Sequence, residues 1–383
     1  MPADETGVPA DQPWFRLAGT SISPARTSGN RVMAVGDVMV SSRVSPIPDD
    51  TEPVARLLRS ADLAVANLEM VLTDATSSAF KPSTVALQGE RAIAGSLAEF
   101  GFQAVSLANN HAMDFGVVGL CDSLDALGEH AVSVVGAGLA EEDASAPLIR
   151  DVAGTTVAML GVSCTVPPGS MAEGDSPGVC GVRVATSFDV DPYLMMEQPG
   201  TAPRVRTTVV PADLERVTRL VRSAAETADV VVVMMHWGVP SAAMNTFPAG
   251  DVLAEYQRPL GHALVDAGAD VILGHHPHAV HGYEVYRDKL ILYSLGHFAF
   301  EAHLDFMSTA GLVADFAVSP DGVSDLRLWP LVGSERGLAR FARPDEARTM
   351  LADIRRMSAG CGDTRTDLVL VDASAELESG RSV

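Results

Sequence analysis

Residues 268–298 read GADVILGHHPHAVHGYEVYRDKLILYSLGHF, and this stretch decides how the chain folds. The apolar run VILG is typical of a buried strand, and imidazoles follow it directly at His275, His276 and His278. YEVYRD and KLILYSLG then show the pattern of two antiparallel strands. A solvated loop would seldom need three imidazoles here, so the pattern predicts a strand whose end delivers ligands to a site.

The same order, a short β-branched strand followed by a helix, recurs along most of the chain. Helices are predicted around residues 54–60, 91–100, 116–128, 212–228, 253–267 and 344–357. Strands are predicted in VMAVG, LAVAN, AVSLAN, VVVVMMHWG and DLVLVD and near Val85 to Gln88. This alternation predicts an α/β fold in which helices cover a sheet. PLIRDV is expected to pair with TTVAMLGVS. GLVADFAVS and SDLRLWPL are expected to join YEVYRD and KLILYSLG in a second sheet edge.

Three regions are predicted along the chain. Residues 1–30 are rich in Pro, Ser, Thr and Gly and are interpreted as a flexible N-terminal arm. Residues 31–340 form the main domain, in which residues 165–210 lose the periodicity. Loops longer than about 12–15 residues are usually functional or disordered. This segment is therefore interpreted as a lid-like insertion, with a plain surface loop as the alternative. Residues 341–383 are interpreted as a C-terminal helix–strand appendage.

The charge of the chain limits its partners. Its 383 residues include 27 basic and 49 acidic ones, which gives a net charge of -22. Phosphate backbones and anionic lipids attract basic faces, so neither nucleic acid nor a membrane is expected as a partner. There is no signal-peptide pattern and no apolar run of about 18 residues, which predicts a cytoplasmic protein. The four scattered cysteines are expected as free thiols, and the oligomeric state stays open.

Side chains that bind metals stand where the predicted strands end, which in open α/β sheets is the edge that binds ligands. The candidates are Asp37, Asn67, Glu69, Asn110, His111, Asp114, His236, His275, His276, His278 and His297. Asn67 and Glu69 are two residues apart, so an extended backbone turns both to one side. The same spacing holds for His276 and His278.

This mixture of carboxylate, amide and imidazole donors suits Mn²⁺, Fe or Zn²⁺, and a carboxylate can bridge two ions. Each residue also has a structural interpretation. Asp37 could be a turn residue, Asp114 a helix N-cap and His236 a buried core histidine. The coincidence of so many donors at one edge favours metal binding.

Several motifs, in this order, resemble the CapA-like proteins of the poly-γ-glutamate capsule synthesis type: GDVMV, ANLEMVLTD, SLANNHAMDFGVVGL, HWG and the stretch 268–298. These proteins are relatives of the calcineurin-like metallophosphatases, and the resemblance spans about residues 31–300. It implies that residues 31–340 are a CapA-like metallophosphatase-fold domain. The implied architecture is a sandwich of two mixed β-sheets flanked by helices, with a site for two divalent ions.

The resemblance also implies roles for single residues. The implied metal ligands are Asp37, Glu69, Asn110, His236, His276 and His278. Among them Glu69 takes the place of a carboxylate that bridges the two ions. His111 resembles a catalytic acid or anion-stabilising histidine, and Asn67 and His275 are expected as contacts behind the ligands.

Two departures from the family pattern stand out. The family usually carries Asn in SLGNF, where this chain has His297, and Pro after NLE, where it has Met70 and Val71. His297 adds a titratable group beside the expected metal site. The change after NLE is expected to alter only the local backbone.

The sequence leaves three functions open. One is a dinuclear-metal phosphoesterase or other hydrolase, although no Gly-rich phosphate cradle is present. Another is acid/base chemistry on a peptide or amino-acid carboxylate, because in the lasso-peptide setting a CapA-like protein inverts the C-terminal residue of its ribosomal precursor. The third is a non-catalytic protein of poly-γ-glutamate-type polymer biosynthesis.

Epimerisation at Cα of the C-terminal residue of a ribosomal precursor peptide is the favoured hypothesis. Inversion needs a proton removed from one face and another delivered to the opposite face. A metal on the carboxyl oxygen would stabilise the anion between these steps. His111 and His297 are the predicted acid and base, with Asp114 as a further catalytic candidate.

Overall fold

The computed structural model describes residues 12–18, 22, 30–79, 81, 85–239, 253–301, 309–334, 336–359, 361 and 367–371. The strands are β1 (Trp14–Ala18), β2 (Asn30–Met39), β3 (Leu63–Leu68), β4 (Val71–Leu72), β5 (Gln88–Gly89), β6 (Ala104–Ser106), β7 (Ser133–Val135), β8 (Ala137–Gly138), β9 (Leu148–Val152), β10 (Thr155–Ser163), β11 (Gly178–Val179), β12 (Val184–Asp189), β13 (Arg204–Val209), β14 (Val230–His236), β15 (Val271–His275), β16 (Tyr283–Tyr286), β17 (Lys289–Leu292), β18 (His297–Phe300), β19 (Ala310–Ser319), β20 (Gly322–Gly333), β21 (Ala339–Phe341) and β22 (Asp367–Val371). The helices are α1 (Glu52–Arg59), α2 (Ile93–Phe100), α3 (Gly116–Glu129), α4 (Glu141–Ser145), α5 (Pro192–Glu197), α6 (Pro211–Ala225), α7 (Gln257–Ala267) and α8 (Pro344–Ser358).

Most strands belong to two mixed sheets. The ten-stranded sheet has the order β22-β1-β20-β19-β2-β3-β6-β7, with β18 beside β2 and β21 beside β20. Strands β2, β3, β6 and β7 are parallel, as is β18 to β2, whereas β19 is antiparallel to β2. The six-stranded sheet has the order β16-β17-β15-β14-β10-β9, with a parallel centre and an antiparallel strand at each edge.

The side chains of each central strand alternate between two cores. Val32 of β2 lies in a core shared with Val232 of β14, so this core joins the two sheets. Met33 packs with helices α1 to α3 on the outer side of the large sheet, and Val233 packs with α6 and α7 outside the small one. Strands buried on both faces read as continuous apolar runs, as VVVVMM does. The predicted fold, two mixed sheets flanked by helices, is confirmed.

The predicted flexible arm differs from the structure at Trp14–Ala18, which form β1 between β20 and β22 of the large sheet. Phe15 and Leu17 are fully buried, whereas Trp14 packs against Trp329 with ring centroids 6.0 Å apart. A run of five residues in which apolar and polar side chains alternate is too short to be recognised as a strand within a Pro- and Gly-rich segment. β22 lies in the predicted C-terminal appendage. The first and last described strands, β1 and β22, therefore pair with each other in the ten-stranded sheet.

Two strand predictions need correction. β19 and β20 contain GLVADFAVS and LRLWPL and lie in the ten-stranded sheet, not beside YEVYRD, because β19 pairs with β2. The strand expected near Val85 shrinks to Gln88–Gly89. The pairing of PLIRDV with TTVAMLGVS is confirmed by β9 and β10.

The predicted insertion, residues 165–210, contains regular structure. Strands β12 and β13 form an antiparallel hairpin whose connection holds the short helix α5. At its base Arg183 makes two hydrogen bonds of 2.8 Å to the carboxylate of Asp213 at the start of α6. Among the helices that the structure describes, none has the length and apolar character to cross a membrane.

Candidate metal centre

The strand ends of both sheets bring the predicted donors to one place. Asp37 and Asn67 lie in register on neighbouring strands β2 and β3, and His297 at the start of β18 is opposite Asp37. The small sheet contributes His236 and His275, which end adjacent strands in register. The sheet edges therefore meet where β2 and β15 come into contact.

One group of donors comprises Asp37, His278 and His297. Each offers a ligand atom within 4.8 Å of the others, and all three side chains are buried. Nδ1 of His278 lies 3.6 Å from Oδ2 of Asp37. The rings of His278 and His297 stack with centroids 5.0 Å apart.

A second group comprises Glu69, His236 and His276 under the same 4.8 Å limit. Nε2 of His236 lies 3.3 Å from Oε1 of Glu69, and Nδ1 of His276 lies 3.8 Å from it. Asn110 belongs with this group, since its Oδ1 is 2.7 Å from Nε2 of His236. Oε1 of Glu69 is also 3.8 Å from Nε2 of His278 in the other group. Glu69 therefore lies between the two groups.

The chemistry of these residues fits bound divalent cations. Buried polar atoms normally find hydrogen-bond partners, and an exception calls for an explanation such as an ion. Among the described residues the following atoms make no such bond: both carboxylate oxygens of Glu69, Nδ1 of His276, Nδ1 of His278 and both ring nitrogens of His297. Oxygen and imidazole donors are the set that Mn, Fe and Zn ions prefer.

The pKa values of the two carboxyl groups, Asp37 and Glu69, are shifted in opposite directions. Burial and the neighbouring Glu69 raise the pKa of Asp37 well above its usual value. Burial alone would also raise the pKa of Glu69, but the imidazoles of His236 and His278 lower it well below its usual value. The neighbours of the two carboxyl groups therefore move their pKa values apart.

The buried histidines are held in their neutral form. Burial lowers the pKa of His236 to about 3 and that of His278 to about 4. Burial, followed by the charge of His278, lowers the pKa of His297 to about 3. Neutral imidazole is the form that binds a metal or accepts a proton.

Asn67 and Asn109 fix the ligands from behind. Nδ2 of Asn67 donates to Oδ1 of Asp37 at 2.8 Å and lies 3.3 Å from Nδ1 of His236. Nδ2 of Asn109 donates to Oδ1 of Asn67, and its own Oδ1 accepts from the backbone N–H of His111. Asn109 thus ties the loop that carries Asn110 and His111 to β3.

His275 turns away from the other two imidazoles of HHPH. Its Nε2 lies 3.2 Å from the carbonyl oxygen of Val35, so it links β15 to β2. Burial lowers its pKa to about 4. His276 and His278 have φ angles of 95° and 56°, which non-glycine residues seldom adopt. This backbone places both rings on the cluster side.

His111 and Asp114 form a pair beside the cluster. Nδ1 of His111 is 2.7 Å from Oδ2 of Asp114, and His111 is close enough to His278 for its charge to affect the pKa of that residue. Lys81 completes the arrangement: its Nζ is 2.9 Å from Oδ1 of Asp114 and donates to the carbonyl oxygen of Asn110 at 2.6 Å.

Lys81 and Asn109 were not predicted as site residues from the sequence. Lys81 is one of only two lysines in the chain, which was the available signal, and Asn109 precedes a predicted ligand directly. All the other predicted residues lie in or around the cluster. His297, predicted as an acid or base, lies in the first donor group beside Asp37.

These features define a two-sheet α/β protein with a buried carboxylate–imidazole cluster in two adjoining groups. The chain belongs to the family described as bacterial capsule synthesis protein PGA_cap, whose model matches residues 31–302. The family predicted from the motifs is therefore confirmed.

Individual relatives agree with this assignment. The chain is 30% identical over 298 residues to PGA biosynthesis protein CapA of Bacillus subtilis (strain 168), which covers 75% of this chain and 68% of that protein. It is 28% identical over 322 residues to capsule biosynthesis protein CapA of Bacillus anthracis, with 81% and 70% covered.

Two solved structures are also similar to the chain. One is a hypothetical protein from Thermus thermophilus, with a TM-score of 0.44, 16% identity and coverage of 78% of this chain and 98% of that one. The other is the calcineurin-like phosphoesterase YfkN from Bacillus subtilis, with a TM-score of 0.37, 13% identity and coverage of 86% and 97%.

Proposed function

We propose that the protein is a metal-dependent enzyme that inverts Cα of the C-terminal residue of a peptide, with a ribosomal precursor peptide as the substrate class. The observation that carries the proposal is the presence of two imidazoles beside the donor groups, His111 and His297, that do not belong to the group formed by Glu69, His236 and His276. His297 stacks on His278, and His111 directly follows Asn110, whose Oδ1 lies 2.7 Å from Nε2 of His236. Inversion needs two such groups.

The hydrogen bonds of the two groups suggest their roles. Neither ring nitrogen of His297 has a hydrogen-bond partner among the residues that the structure describes, so this ring is assigned as the base that removes the Cα proton. In its imidazolium form His111 keeps one proton on Nδ1 toward Asp114 and delivers the other, from Nε2, to the opposite face of Cα, which leaves a neutral ring. One proton is removed and one is added, and the electron pair left on Cα between these events delocalises into the carboxyl group.

The cluster supports the charged intermediate of this reaction. When bound at the two donor groups, divalent cations such as Mn, Fe or Zn supply Lewis-acid stabilisation for negative charge on a carboxyl oxygen. Asp37, Glu69, Asn110, His236, His276 and His278 would hold them. Glu69 lies between both groups and so keeps them at a fixed separation.

The experiment is deuterium exchange in D₂O. The metal-loaded protein is incubated with peptides that differ in their C-terminal residue, and Cα deuteration and chirality are measured by mass spectrometry and chiral analysis. We expect deuterium at the terminal Cα only, and none with the Glu69→Gln variant. Absence of deuterium from every peptide would contradict the proposal.

The variant His297→Asn tests whether His297 acts as the base of the reaction or only as a metal ligand. Asparagine is the residue that the family usually has in this position, and it can still offer an oxygen to a cation. We expect metal content to be retained while Cα exchange is lost. If the variant still exchanges the Cα proton, His297 is not the base of the reaction.

A phosphoesterase is the second candidate, because a carboxylate between two cation sites is suited to hold the ions around a bridging water. Bis(p-nitrophenyl) phosphate and p-nitrophenyl phosphate are the probes. Hydrolysis that depends on Glu69, without Cα exchange in any peptide, would favour this function over epimerisation.

A further inference from the structure

The hairpin of β12 and β13 stands apart from both main sheets. Among the strands that the structure describes, these two pair only with each other, from Val184 opposite Val209 at the base to Asp189 opposite Arg204 at the far end. No residue of helix α5 in its connection is buried. A two-stranded hairpin on its own is marginally stable in water, so its outer part gains little from the rest of the fold.

The far end of this hairpin, residues 188–205, is here called the hairpin tip. Its large apolar side chains are between 41% and 76% exposed: Phe188, Val190, Tyr193, Leu194, Met195, Met196 and Val205. Phe188, Leu194 and Met195 line a groove of about 530 Å³. Exposed apolar patches of this kind usually mark interaction sites, and methionine adapts to varied partners.

The charges around the groove restrict its occupant. Arg204 and Arg206 both pair with Glu255, at 3.1 and 3.0 Å, and Arg206 also pairs with Asp189. The carboxylate of Asp191 accepts from backbone N–H groups of α5, and Glu197 adds a further negative charge. The groove therefore offers apolar side chains with surplus negative charge, on a chain whose net charge is -22. A second copy of this chain or an anionic lipid surface would bring like charge, whereas a polypeptide segment with apolar and basic residues is complementary.

The hairpin tip connects to the cluster through few residues. Glu255, which binds Arg204 and Arg206, precedes Tyr256, whose hydroxyl accepts from the N–H of Gly238 at 2.6 Å. Gly238 follows His236 by two residues. Glu255, Tyr256 and Gly238 thus join the tip to the strand end that carries His236.

We propose that the hairpin tip binds an apolar, positively charged segment of the peptide substrate, separate from the residue that reacts. This inference rests on the proposed function, since it assumes a peptide substrate. Binding at the tip would lower KM for a long peptide and leave the chemistry at Cα to the cluster.

The test uses the full chain and a fluorescein-labelled peptide of leucine and lysine, with a leucine–glutamate peptide of equal length as the charge control. Fluorescence anisotropy at physiological ionic strength gives the affinities. The double variant Phe188→Ser/Met195→Ser is compared with Val118→Ser, which changes an exposed apolar residue on α3. Thermal unfolding and metal content verify that both variants are folded.

We expect the leucine–lysine peptide to bind at least 10-fold more tightly than the acidic peptide. The double variant should lose at least 10-fold in affinity, and Val118→Ser should bind like the unchanged chain. Equal binding by the double variant would overturn the proposal. A dimer of the unchanged chain that dissociates in the double variant would also overturn it, because the tip would then bind a second copy. The assay needs no turnover, so its outcome is independent of whether Cα exchange is found.

Discussion

Nδ1 of His111 lies 2.7 Å from Oδ2 of Asp114, and the carboxylate of Asp114 is almost completely buried. An ionised carboxylate can only accept, so Nδ1 carries the hydrogen and Nε2 is left for proton transfer. Oδ2 of Asp114 also accepts from the backbone N–H of Leu87 at 2.8 Å. The same carboxylate thus orients an imidazole and holds the loop that precedes β5.

Asp114→Asn should lower the Cα exchange rate by about 10²- to 10⁴-fold, the usual contribution of general acid–base catalysis. An amide can offer either N–H or C=O to Nδ1, so the ring loses its fixed tautomer. Metal content, measured by atomic emission, should not change, since Asp114 lies outside both donor groups. Asp125→Asn, on the exposed side of α3, is the matched control. Full activity of Asp114→Asn would rule out the role assigned to this pair.

Lys81→Met should lower the free energy of unfolding by about 1–3 kcal/mol, the cost of leaving a buried charged partner without its hydrogen bond. Its Nζ contacts both Asp114 and the carbonyl oxygen of Asn110, and the side chain is only 16% exposed. Urea unfolding of the two proteins measures the difference. Lys81→Arg keeps the charge and should recover most of the stability. If both variants are as stable as the unchanged chain, the contacts of Lys81 contribute nothing.

Glu69→Gln should abolish tight binding at both donor groups together. The carboxylate lies between them, with Oε1 3.3 Å from Nε2 of His236 and 3.8 Å from Nε2 of His278. A neutral amide cannot supply the negative charge that offsets two cations. Calorimetric titration with Mn²⁺ and Zn²⁺ measures the stoichiometry, with Glu215→Gln on α6 as control. Loss of one ion with normal binding of another would show that Glu69 serves one group only.

The sequence was sufficient for most of the strands, and for the polar residues at their ends, because these signals are local. An apolar run such as VVVVMM fixes a buried strand, and a polar residue directly after it marks the strand end. His236 and Asp37 could be assigned in this way without knowledge of strand order.

Other features depended on pairing between distant segments, which leaves little local signal. The position of His297 beside Asp37 follows from the parallel pairing of β18 with β2. Lys81 reaches the site only because Asp114 holds its loop, and β1 is defined by its partners at both sides. Residues 188–205 are polar and apolar in no regular period, so their hairpin could not be predicted either.

Acid should destabilise the metal-free protein between about pH 6.5 and pH 4. In the unfolded chain histidines take up protons near their ordinary pKa of about 6.5. In the folded protein the pKa of His236 and His297 is about 3 and that of His275 and His278 about 4. The unfolded state therefore binds more protons in this window, and the free energy of unfolding falls as pH falls.

The slope reaches at most about 1.4 kcal/mol per pH unit for each such histidine. Asp37 acts in the opposite sense, because its raised pKa lets the folded state keep a proton that the unfolded chain has lost. Because the stabilising effect of one carboxyl group is set against the destabilising effect of four imidazoles, the free energy of unfolding falls as the pH falls. Urea unfolding with a chelator at pH 5, 6 and 7 measures it. His297→Asn removes one of the four buried histidines, so the free energy of unfolding should depend less steeply on pH. A free energy of unfolding that does not change between pH 5 and 7 would contradict the presence of neutral buried histidines.

Gly36→Ala should disrupt the junction of the two sheets at the cluster. A Cβ at this position would lie 1.9 Å from the carbonyl oxygen of Gly296, which accepts from the backbone N–H of Asp37 at 2.9 Å. Neither backbone can move without shifting Asp37 or His297. We expect a loss of about 3 kcal/mol in the free energy of unfolding, as for severe overpacking, together with weaker metal binding. Gly128→Ala, where nothing lies within 4 Å of the added Cβ, is the control. Equal stability and metal affinity of the two variants would mean that the close approach at Gly36 does not position the donors.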